Sequence, residues 1–310
     1  MRIVFMGTPD FSVPTLRCLI ESKHEVVGVV TQPDKPKGRG GKVQYTPVKE
    51  LAVEHDIPVL QPVKIKEKEA FEALKTWKPD AIVVVAFGQI LPKEILELPQ
   101  YGCLNVHASL LPKLRGAAPI QWAVIEGAEK SGVTIMAMDE GLDTGDMLLK
   151  KEVVLEEDET GGSLHDKLME LGGPMILQTL DDLEAGAVER TPQNHGEHTY
   201  AGMLNKSMGK LDFSKKAVEL EKLIRGLNPW PSAYTKLNGK TLKIWEADVL
   251  EEDKQAAFGE IVDVEKDAFA IQTGAGLLRV TELQMEGKKR MDAEAFLRGY
   301  QLENGVVLGE

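Results

Sequence analysis

The sequence lacks the features that mark secreted, disulfide-stabilised or membrane-spanning proteins. Its only two cysteines, Cys18 and Cys103, are far apart and form no CxxC pattern. They predict neither a disulfide framework nor a thiolate metal site, and we interpret both as small buried hydrophobic residues. No apolar run approaches the roughly 20 residues that span a bilayer. The chain enters a strand-like segment directly after Met1, which predicts no cleavable signal peptide and a cytoplasmic location.

Two common nucleotide-binding signatures are missing as well. Residues 7–11, GTPDF, follow the first strand candidate at the place of a dinucleotide fingerprint. They lack the GxGxxG pattern, and Pro9 occupies the turn in which close approach to a pyrophosphate needs glycine. The sequence contains no Walker pattern either. Nicotinamide cofactors and nucleoside triphosphates are therefore disfavoured as ligands, and Thr8 and Asp10 are interpreted as part of a strand-to-helix turn.

Positive charge is outnumbered in the whole chain but concentrated in one segment. The net charge is −12, which argues against indiscriminate binding to nucleic acid. Within residues 206–243, however, nine basic side chains stand against three acidic ones. A positive segment on an acidic protein predicts one defined polyanionic partner. A solvated lysine-rich surface without a partner explains this feature equally well.

The first half of the chain alternates strand-like and helix-like segments. Strand candidates are residues 2–6, 25–31, 58–61, 81–86, 102–107 and 133–138, and helix candidates are residues 13–21, 47–54, 67–76 and 119–126. Nearly continuous apolar strands are typical of a sheet that helices cover on both faces. The pattern predicts a doubly wound, Rossmann-like parallel sheet with ligands beyond the carboxyl ends of its strands. Those ends are expected at Gly7, Thr31, Phe87, His107 and Asp139.

The second half of the chain has a different pattern, and 310 residues make two domains the default expectation. A long helix is predicted at residues 163–184, and the polar residues 191–200 are typical of a linker. Helix candidates at residues 218–227 and 293–298 flank short strand candidates at residues 233–237, 242–247, 260–264, 268–272 and 276–283. Five short strands with glycine turns predict a small OB-like β-barrel. The expected division is an α/β domain at residues 1–189, a linker at 190–207 and a β-domain at 208–310.

Three polar side chains are candidates for chemistry. Asn105 and His107 are two residues apart in a strand-like run, so they share one face of the strand. Asp143 lies in a glycine-flanked turn after the next apolar run. His107 is suited to proton exchange near neutral pH, Asn105 to hydrogen bonding of an oxyanion, and Asp143 to orienting and charging the imidazole. Because no GxSxG elbow or suitably placed cysteine is present, the set is typical of acyl transfer without a covalent nucleophile. A purely structural histidine at the end of a strand is the alternative.

Longer motifs around these residues resemble the folate-dependent formyltransferase family. They are Asn105-x-His107, SLLPKLRGAAP at residues 109–119 and GLDTGD at residues 141–146. GTPDF at residues 7–11 and TQPDKPKGRG at residues 31–40 narrow the resemblance to the members that act on methionyl-tRNA. The resemblance extends essentially from end to end of the chain.

The resemblance implies a reaction and a set of contacts. 10-Formyltetrahydrofolate is expected to donate its formyl group to the α-amine of methionyl initiator tRNA by direct amine attack, with no metal and no covalent enzyme intermediate. The expected catalytic residues are Asn105, His107 and Asp143. Folate contacts are expected from Ser109, Leu110, Leu111 and Pro112, with Phe87, Gly88, Ile90 and Leu91 lining the pocket. Contacts to tRNA are expected from Lys35, Lys37, Arg39 and Lys42 in one loop, and from Lys206 and Lys210 in the basic segment of a tRNA-binding C-terminal domain.

Other functions remain open on the sequence alone. A formyltransferase that acts on a small amine, such as a purine precursor or an amino-sugar nucleotide, would use the same three residues. A formyltetrahydrofolate hydrolase would use water as the nucleophile, and a non-enzymatic RNA-binding module would leave the trio without a purpose. His195 and His198 have ligand-like spacing but no obvious third ligand, so they are interpreted as surface residues. The protein is expected to be a monomer that does not associate with membranes.

Overall fold

The structure is a computed structural model that describes residues 1–37 and 42–309, with only the backbone described for Lys37 and Lys42. The chain divides into two compact units by its internal contacts. The first unit comprises Met1–Pro119, Lys130–Val154 and His165–Ala201. The second comprises Ile120–Glu129, Leu155–Leu164 and the chain from Gly202 onward. Within the described ranges, no helix is both long enough and apolar enough to cross a lipid bilayer.

The strands of the first unit are β1 (Arg2–Gly7), β2 (Glu25–Val30), β3 (Lys35–Lys37), β4 (Lys42–Gln44), β5 (Val59–Leu60), β6 (Ala81–Val85), β7 (Cys103–His107), β8 (Arg115–Gly116), β9 (Lys130–Ala137), β10 (Met147–Val154) and β11 (Tyr200–Ala201). Its helices are α1 (Val13–Ile20), α2 (Pro47–Glu54), α3 (Lys68–Trp77) and α4 (Lys93–Leu96). Two further helices, α5 (Pro119–Ile125) and α6 (Gly161–Glu184), each include residues of both units.

The main sheet of the first unit has the strand order β10-β9-β7-β6-β1-β2-β5. Every pairing among β7, β6, β1, β2 and β5 is parallel. Placing β1 at the centre, with later strands added outward on either side, is the doubly wound arrangement. Strand β6 is buried at every position, as expected for a strand that is covered on both faces. The predicted α/β fold of this part of the chain is confirmed.

Strand β9 departs from the predicted parallel arrangement. It runs antiparallel to β7, with Leu104 opposite Ala137 and His107 opposite Thr134. Strand β9 therefore ends beside the start of β7, so Asp139 does not follow it at the carboxyl edge where His107 lies. An apolar run predicts a buried strand but carries no information about its direction, which depends on the connection before it. Strand β10, which the sequence pattern did not predict, pairs antiparallel with β9 at the edge of the sheet.

Two glycines allow α6 to lie close to α1. A Cβ atom at Gly172 would lie 2.6 Å from Thr15 Oγ1 and 3.0 Å from Val106 Cγ1. A Cβ atom at Gly173 would lie 2.4 Å from Cys18 Sγ. Real carbon side chains do not fit at such distances, so this close approach requires glycine. Helix α6 is thereby packed next to the strand that carries Asn105 and His107.

The second unit is an antiparallel β-structure with two further helices. Its strands are β12 (Ala233–Leu237), β13 (Lys240–Leu250), β14 (Ile261–Val264), β15 (Phe269–Gln272), β16 (Leu277–Met285) and β17 (Met291–Asp292), and its further helices are α7 (Ala217–Gly226) and α8 (Ala293–Gly299). The strand order is β12-β13-β16-β15-β14, and β17 pairs with β16. A single apolar core includes Leu220 of α7, Phe296 of α8 and the inward residues of the strands. The predicted separate β-domain is confirmed, with β12 and β14 as the two ends of the strand path.

Candidate active site

The face of β7 that carries Asn105 and His107 is the starting point of the site. The two residues lie two positions apart in the strand, so their side chains leave the sheet on the same side. Asn105 lies opposite Met136 of β9, and His107 lies opposite Thr134. The His107 side chain is only 6 % exposed, whereas Asn105 is partly open to solvent.

Asp143 approaches this face from a turn that doubles back after β9. Its φ of +53° lies in the left-handed region, which residues other than glycine seldom adopt. At the start of the turn, Asp139 Oδ1 accepts a hydrogen bond of 3.0 Å from the amide of Gly141. At its end, Gly145 has no room for a side chain, because a Cβ atom would lie 1.8 Å from the carbonyl oxygen of Ala137. The flanking glycines therefore permit a tight turn that carries a carboxylate back over β7.

The carboxylate of Asp143 contacts both side chains of β7. Its Oδ1 accepts a hydrogen bond of 3.4 Å from Asn105 Nδ2, and its Oδ2 accepts one of 2.8 Å from the amide of Gly116. His107 Nδ1 lies 3.8 Å from the same Oδ2. The carboxamide, the imidazole and the carboxylate thus lie together, although Asp143 is far from β7 in the sequence and follows a strand of opposite direction.

The second ring nitrogen of His107 has a fixed partner. His107 Nε2 lies 3.0 Å from the carbonyl oxygen of Leu114. A carbonyl oxygen can only accept, so Nε2 carries the hydrogen in this contact. Nδ1 is then the nitrogen that can gain or lose a proton, and the nearest carboxylate oxygen stands 3.8 Å away, beyond hydrogen-bond distance. Such an arrangement leaves Nδ1 able to exchange a proton with a third group.

The segment from Ser109 to Pro112 is tied to β9 through Thr134. Thr134 Oγ1 donates to the carbonyl of Ser109 at 2.7 Å and accepts from the amide of Leu111 at 3.2 Å. The hydroxyl of Ser109 donates to the carbonyl of Lys113 at 2.7 Å. Ser109 and Leu111 are buried, and Leu110 and Pro112 are partly exposed. The segment is thus held by backbone contacts next to the trio.

The other predicted folate residues lie in the turn after β6. The carbonyl of Phe87 accepts hydrogen bonds from Thr8 Oγ1 at 3.2 Å and from Gln32 Nε2 at 3.1 Å, which ties together the ends of β1, β2 and β6. Phe87 and Leu91 are buried in the core of the sheet. Gly88 has a φ of +82° and is exposed, and the Ile90 side chain is 81 % exposed. Only part of this turn therefore presents side chains to a ligand.

Comparisons with protein-family models identify the family to which the chain belongs. The model "Formyl transferase" matches residues 1–180, and the model "Formyl transferase, C-terminal domain" matches residues 203–301. The chain belongs to the formyl transferase family. It is 57 % identical to the methionyl-tRNA formyltransferase of Lachnospira eligens over the whole of both chains. It is 56 % identical to the methionyl-tRNA formyltransferase of Clostridioides difficile, again over the whole of both chains.

Two solved structures of other proteins share the fold. The sugar 3N-formyl transferase WlaRD has a TM-score of 0.67 and 17 % identity, over 93 % of this chain and 99 % of that chain. HypX from Aquifex aeolicus, solved with tetrahydrofolic acid, has a TM-score of 0.63 and 21 % identity over 96 % of this chain. Our formyltransferase spans about half of HypX, 47 % of its length. At these identities the likeness establishes the fold alone.

Two residues of this formyltransferase that the sequence patterns did not single out hold the Asp143 turn. Gln193 Nε2 donates to the carbonyl oxygens of Asp143 and Gly145, both at 2.8 Å. Gln193 Oε1 accepts from the guanidinium of Arg115 at 3.0 and 2.7 Å. Gln193 lies in a polar stretch typical of a linker, and Arg115 was visible only as part of a family motif. Their burial, 6 % and 2 % exposed, is the signal that only the structure provides.

Three of the predicted tRNA residues of the first unit belong to the hairpin β3–β4: Lys35 and Lys37 lie in β3, and Lys42 begins β4. Lys35 is exposed. Arg39 lies outside the described residues, as do the side chains of Lys37 and Lys42. At the base of the hairpin, Asp34 forms an ion pair with Lys49 and a hydrogen bond of 2.8 Å with Gln61 Nε2. The ammonium of Lys49 is the main reason why the pKa of Asp34 lies below its usual value. The base of the hairpin is therefore fixed by charge.

The predicted tRNA residues of the second unit lie at its surface. Lys206 begins a short 3₁₀ turn, Lys206–Gly209, that Asn205 caps through its side-chain oxygen, and Lys206 is exposed. Lys210 is also exposed and lines a groove of about 590 Å³ together with Phe258 and Val307. Across the described part of the chain, no group of three or more His, Cys, Asp or Glu side chains is placed to hold a metal ion.

Proposed function

We propose that this chain transfers the formyl group of 10-formyltetrahydrofolate to the α-amine of methionyl initiator tRNA. The observation that carries the proposal is the convergence of Asn105, His107 and Asp143 in a chain with full-length methionyl-tRNA formyltransferase relatives. The likeness to HypX, which was solved with tetrahydrofolic acid, supports a reduced folate as the donor. The enzyme is a one-carbon group transferase that acts on an amine.

The reaction requires two proton movements and one stabilised charge. The neutral amine of methionine attacks the formyl carbon, a new C–N bond forms, and the carbonyl oxygen becomes an oxyanion. The bond from the formyl carbon to N10 of the folate then breaks, N10 takes up a proton, and the attacking nitrogen loses one. No covalent bond to the protein is needed, because the amine is itself the nucleophile.

Asn105 and His107 supply the groups that this reaction needs. One N–H of the Asn105 carboxamide is directed to Asp143 at 3.4 Å, which leaves its second N–H to donate to the oxyanion. Nε2 of His107 is already paired with the carbonyl of Leu114, so Nδ1, which lies 3.8 Å from Asp143, is the atom that exchanges the proton with the reacting groups. The carboxylate of Asp143, 3.8 Å from Nδ1, stabilises the imidazolium while it exists.

We place the reduced folate against two segments of the first unit. Ser109, Leu110, Leu111 and Pro112 are held next to the trio because Thr134 pairs with the Ser109 carbonyl and the Leu111 amide, which fixes the position of this segment. Gly88 and the exposed Ile90 offer the apolar contact for the pterin ring, whereas the buried Phe87 and Leu91 support the turn from within the core. Rigid placement of the donor contributes to the rate by holding it within reach of the amine.

The tRNA is recognised mainly through its phosphates. Lys35, Lys37, Arg39 and Lys42 in the first unit, and Lys206 and Lys210 in the second, are the proposed contacts. The segment from residue 206 to 243 gives the second unit a local excess of positive charge on an acidic chain. We further propose that the protein acts in the cytoplasm as a monomer, and sedimentation of the purified protein tests the oligomeric state.

A comparison of acceptors tests the proposed function. Radiolabelled 10-formyltetrahydrofolate is incubated with the enzyme and either methionyl initiator tRNA, the same tRNA without methionine, or an amino-sugar nucleotide. We expect label to appear only on methionyl-tRNA. Transfer to the amino-sugar nucleotide instead would identify a small-amine formyltransferase, and rapid release of formate without acceptor would identify a hydrolase. Either result would contradict the proposal.

A further inference from the structure

The carboxamide of Gln193 uses its whole hydrogen-bonding capacity. Its two N–H groups donate to the carbonyl oxygens of Asp143 and Gly145, each at 2.8 Å. Its oxygen accepts two hydrogen bonds from Arg115, one from Nε at 3.0 Å and one from Nη2 at 2.7 Å. A carboxamide has two donor hydrogens and two acceptor lone pairs, so no capacity is left over. Its orientation is therefore fixed, because the flipped amide would place hydrogens against Arg115.

The guanidinium of Arg115 anchors this carboxamide from a buried position. Arg115 is 2 % exposed and is among the largest fully buried side chains of the protein. Besides Gln193, its Nη2 contacts Nδ1 of His195 at 3.2 Å. Its backbone amide donates to the carbonyl of Thr199 at 2.9 Å within the pairing of β8 and β11. A hydrogen bond from a cation polarises the carboxamide and strengthens the bonds that its N–H groups donate.

Two neighbouring residues of β8, Arg115 and Gly116, thereby hold Asp143 in place. The amide of Gly116 donates to Asp143 Oδ2 at 2.8 Å, which holds the side chain. The side chain of Arg115, acting through Gln193, holds the backbone carbonyl of the same aspartate. The backbone of Asp143 has a φ of +53°, in the left-handed region that is uncommon for residues other than glycine. The contact from Gly116 to the side chain and the contact from Gln193 to the backbone carbonyl both keep the turn from moving away from His107.

We propose that Gln193 is a positioning residue that keeps the Asp143 carboxylate beside His107. This inference rests on the proposed function, since it assigns Gln193 a role through a catalytic Asp143. Gln193 does not itself contact the reacting groups, so its effect is on the rate of the chemical step and not on the binding of either substrate. Loss of the two hydrogen bonds from Gln193 to the carbonyls of Asp143 and Gly145 is expected to lower the fraction of molecules in which Asp143 lies beside His107 by about 10- to 100-fold.

The Gln193→Glu variant tests whether Gln193 positions the Asp143 carboxylate or only stabilises the folded protein. In the Gln193→Glu variant the carboxylate keeps the contact with Arg115 and adds charge to it. The other carboxylate oxygen then faces the carbonyl oxygens of Asp143 and Gly145 without a hydrogen to donate. The turn therefore loses both of its donors while the buried guanidinium gains a counter-charge. We expect kcat to fall by about 10- to 100-fold, with both KM values within about threefold and an unfolding midpoint close to that of the parent protein.

The control is a second buried glutamine whose carboxamide also accepts at its oxygen and donates to a backbone carbonyl, but which contacts no guanidinium and lies outside the proposed active site. Gln272, which is 2 % exposed, accepts from the amide of Lys254 at 3.0 Å and donates to the carbonyl of Thr273 at 2.9 Å. It belongs to the second unit, in the core strand β15. The Gln272→Glu variant measures how much a buried glutamine-to-glutamate substitution destabilises the protein away from the active site. Its kcat is expected to stay within about twofold of the parent value while its Tm falls.

A double-mutant cycle with Asp143 decides the inference. We expect Gln193→Glu to change the rate of the Asp143→Ala variant by less than about twofold, because the group that Gln193 positions is gone. Multiplicative effects of the two substitutions, or a parent-like kcat in Gln193→Glu, would overturn the inference. If Q193E does not fold, Gln193→Met, which keeps the volume and removes both sets of contacts, is measured in the same cycle. Full activity of Asp143→Ala would refute the catalytic role of Asp143 and the inference with it. A parent enzyme that transfers no formyl group to methionyl-tRNA would instead refute the proposed function, so the two failures are distinguishable.

Discussion

Replacing Asp143 by asparagine removes one negative charge from the site while the side chain keeps its size. The carboxylate stands 3.8 Å from His107 Nδ1, and both side chains are mostly buried, at 13 % and 6 % exposed. Two unit charges about 4 Å apart attract each other by about 4 kcal/mol at an effective dielectric constant of about 20. If the imidazolium forms in the transition state, loss of this attraction lowers kcat by about 1000-fold.

The asparagine also disturbs the hydrogen bonds of the carboxylate. In the parent protein, Asp143 accepts from both Asn105 and the amide of Gly116. An asparagine has one acceptor oxygen and one NH₂ group, so its NH₂ must face one of these two donors. This mismatch adds to the loss of charge, and the prediction of about 1000-fold is therefore a lower limit for the effect on kcat.

Steady-state formylation of methionyl-tRNA, with both KM values and the Tm measured in parallel, checks the prediction. The matched control is Asp139→Asn in the same turn. Asp139 Oδ1 accepts from the amide of Gly141 and from Thr144 Oγ1, and an asparagine oxygen can accept both bonds. The control is expected to keep at least about half of the parent kcat. A folded Asp143→Asn variant with kcat within about tenfold of the parent would refute the electrostatic reasoning.

Further predictions concern stability, thiol reactivity and tRNA binding. Gly28→Ala places a Cβ atom 2.4 Å from the Trp77 ring, so urea unfolding should show a loss of about 1–3 kcal/mol, and an unchanged midpoint would contradict this packing. Burial raises the pKa of the Cys103 thiol to about 12. This thiol stays protonated at lower pH, so iodoacetamide at about pH 9 should label Cys103 only after denaturation, as peptide mass mapping would reveal. Arg39→Ala should flatten the dependence of log Kd on log salt by roughly one unit, and a parent-like slope would count against a phosphate contact.

The sequence was sufficient for most of the helices and strands that form the two cores and for the placement of two members of the trio, but not for the edge strand β10. The period of two in residues 102–107 placed Asn105 and His107 on one face, and the structure has them there. The apolar runs predicted the central strands of the sheet, because burial on both faces leaves a composition that is visible without a structure. They missed β10, which is largely exposed or only partly buried. The catalytic roles of Asn105, His107 and Asp143, by contrast, are proposals that rest on the chemistry of their side chains.

The parts that could not be predicted depend on the direction and length of connections. Nothing in the apolar run before Asp139 indicated that β9 is antiparallel to β7, and only the reversal of the chain in the following turn brings Asp143 back over the strand. Gln193 lies in a polar stretch without periodicity, so its burial against the turn left no pattern in the sequence. A side chain that acts through two backbone carbonyls is not visible in residue spacing.

The rate of a single turnover in the His107→Ala variant tests whether the His107 imidazole transfers the proton in the formyl-transfer step. Rapid-quench measurements with saturating 10-formyltetrahydrofolate, and with enzyme in excess over methionyl-tRNA at a concentration that binds all of it, isolate the transfer step from binding and product release. Proton transfer by a positioned imidazole contributes about 10²- to 10⁴-fold, so the transfer rate should fall by that factor while tRNA binding is unchanged. A folded His107→Ala enzyme that transfers the formyl group at the parent rate would contradict the role of His107 in proton transfer.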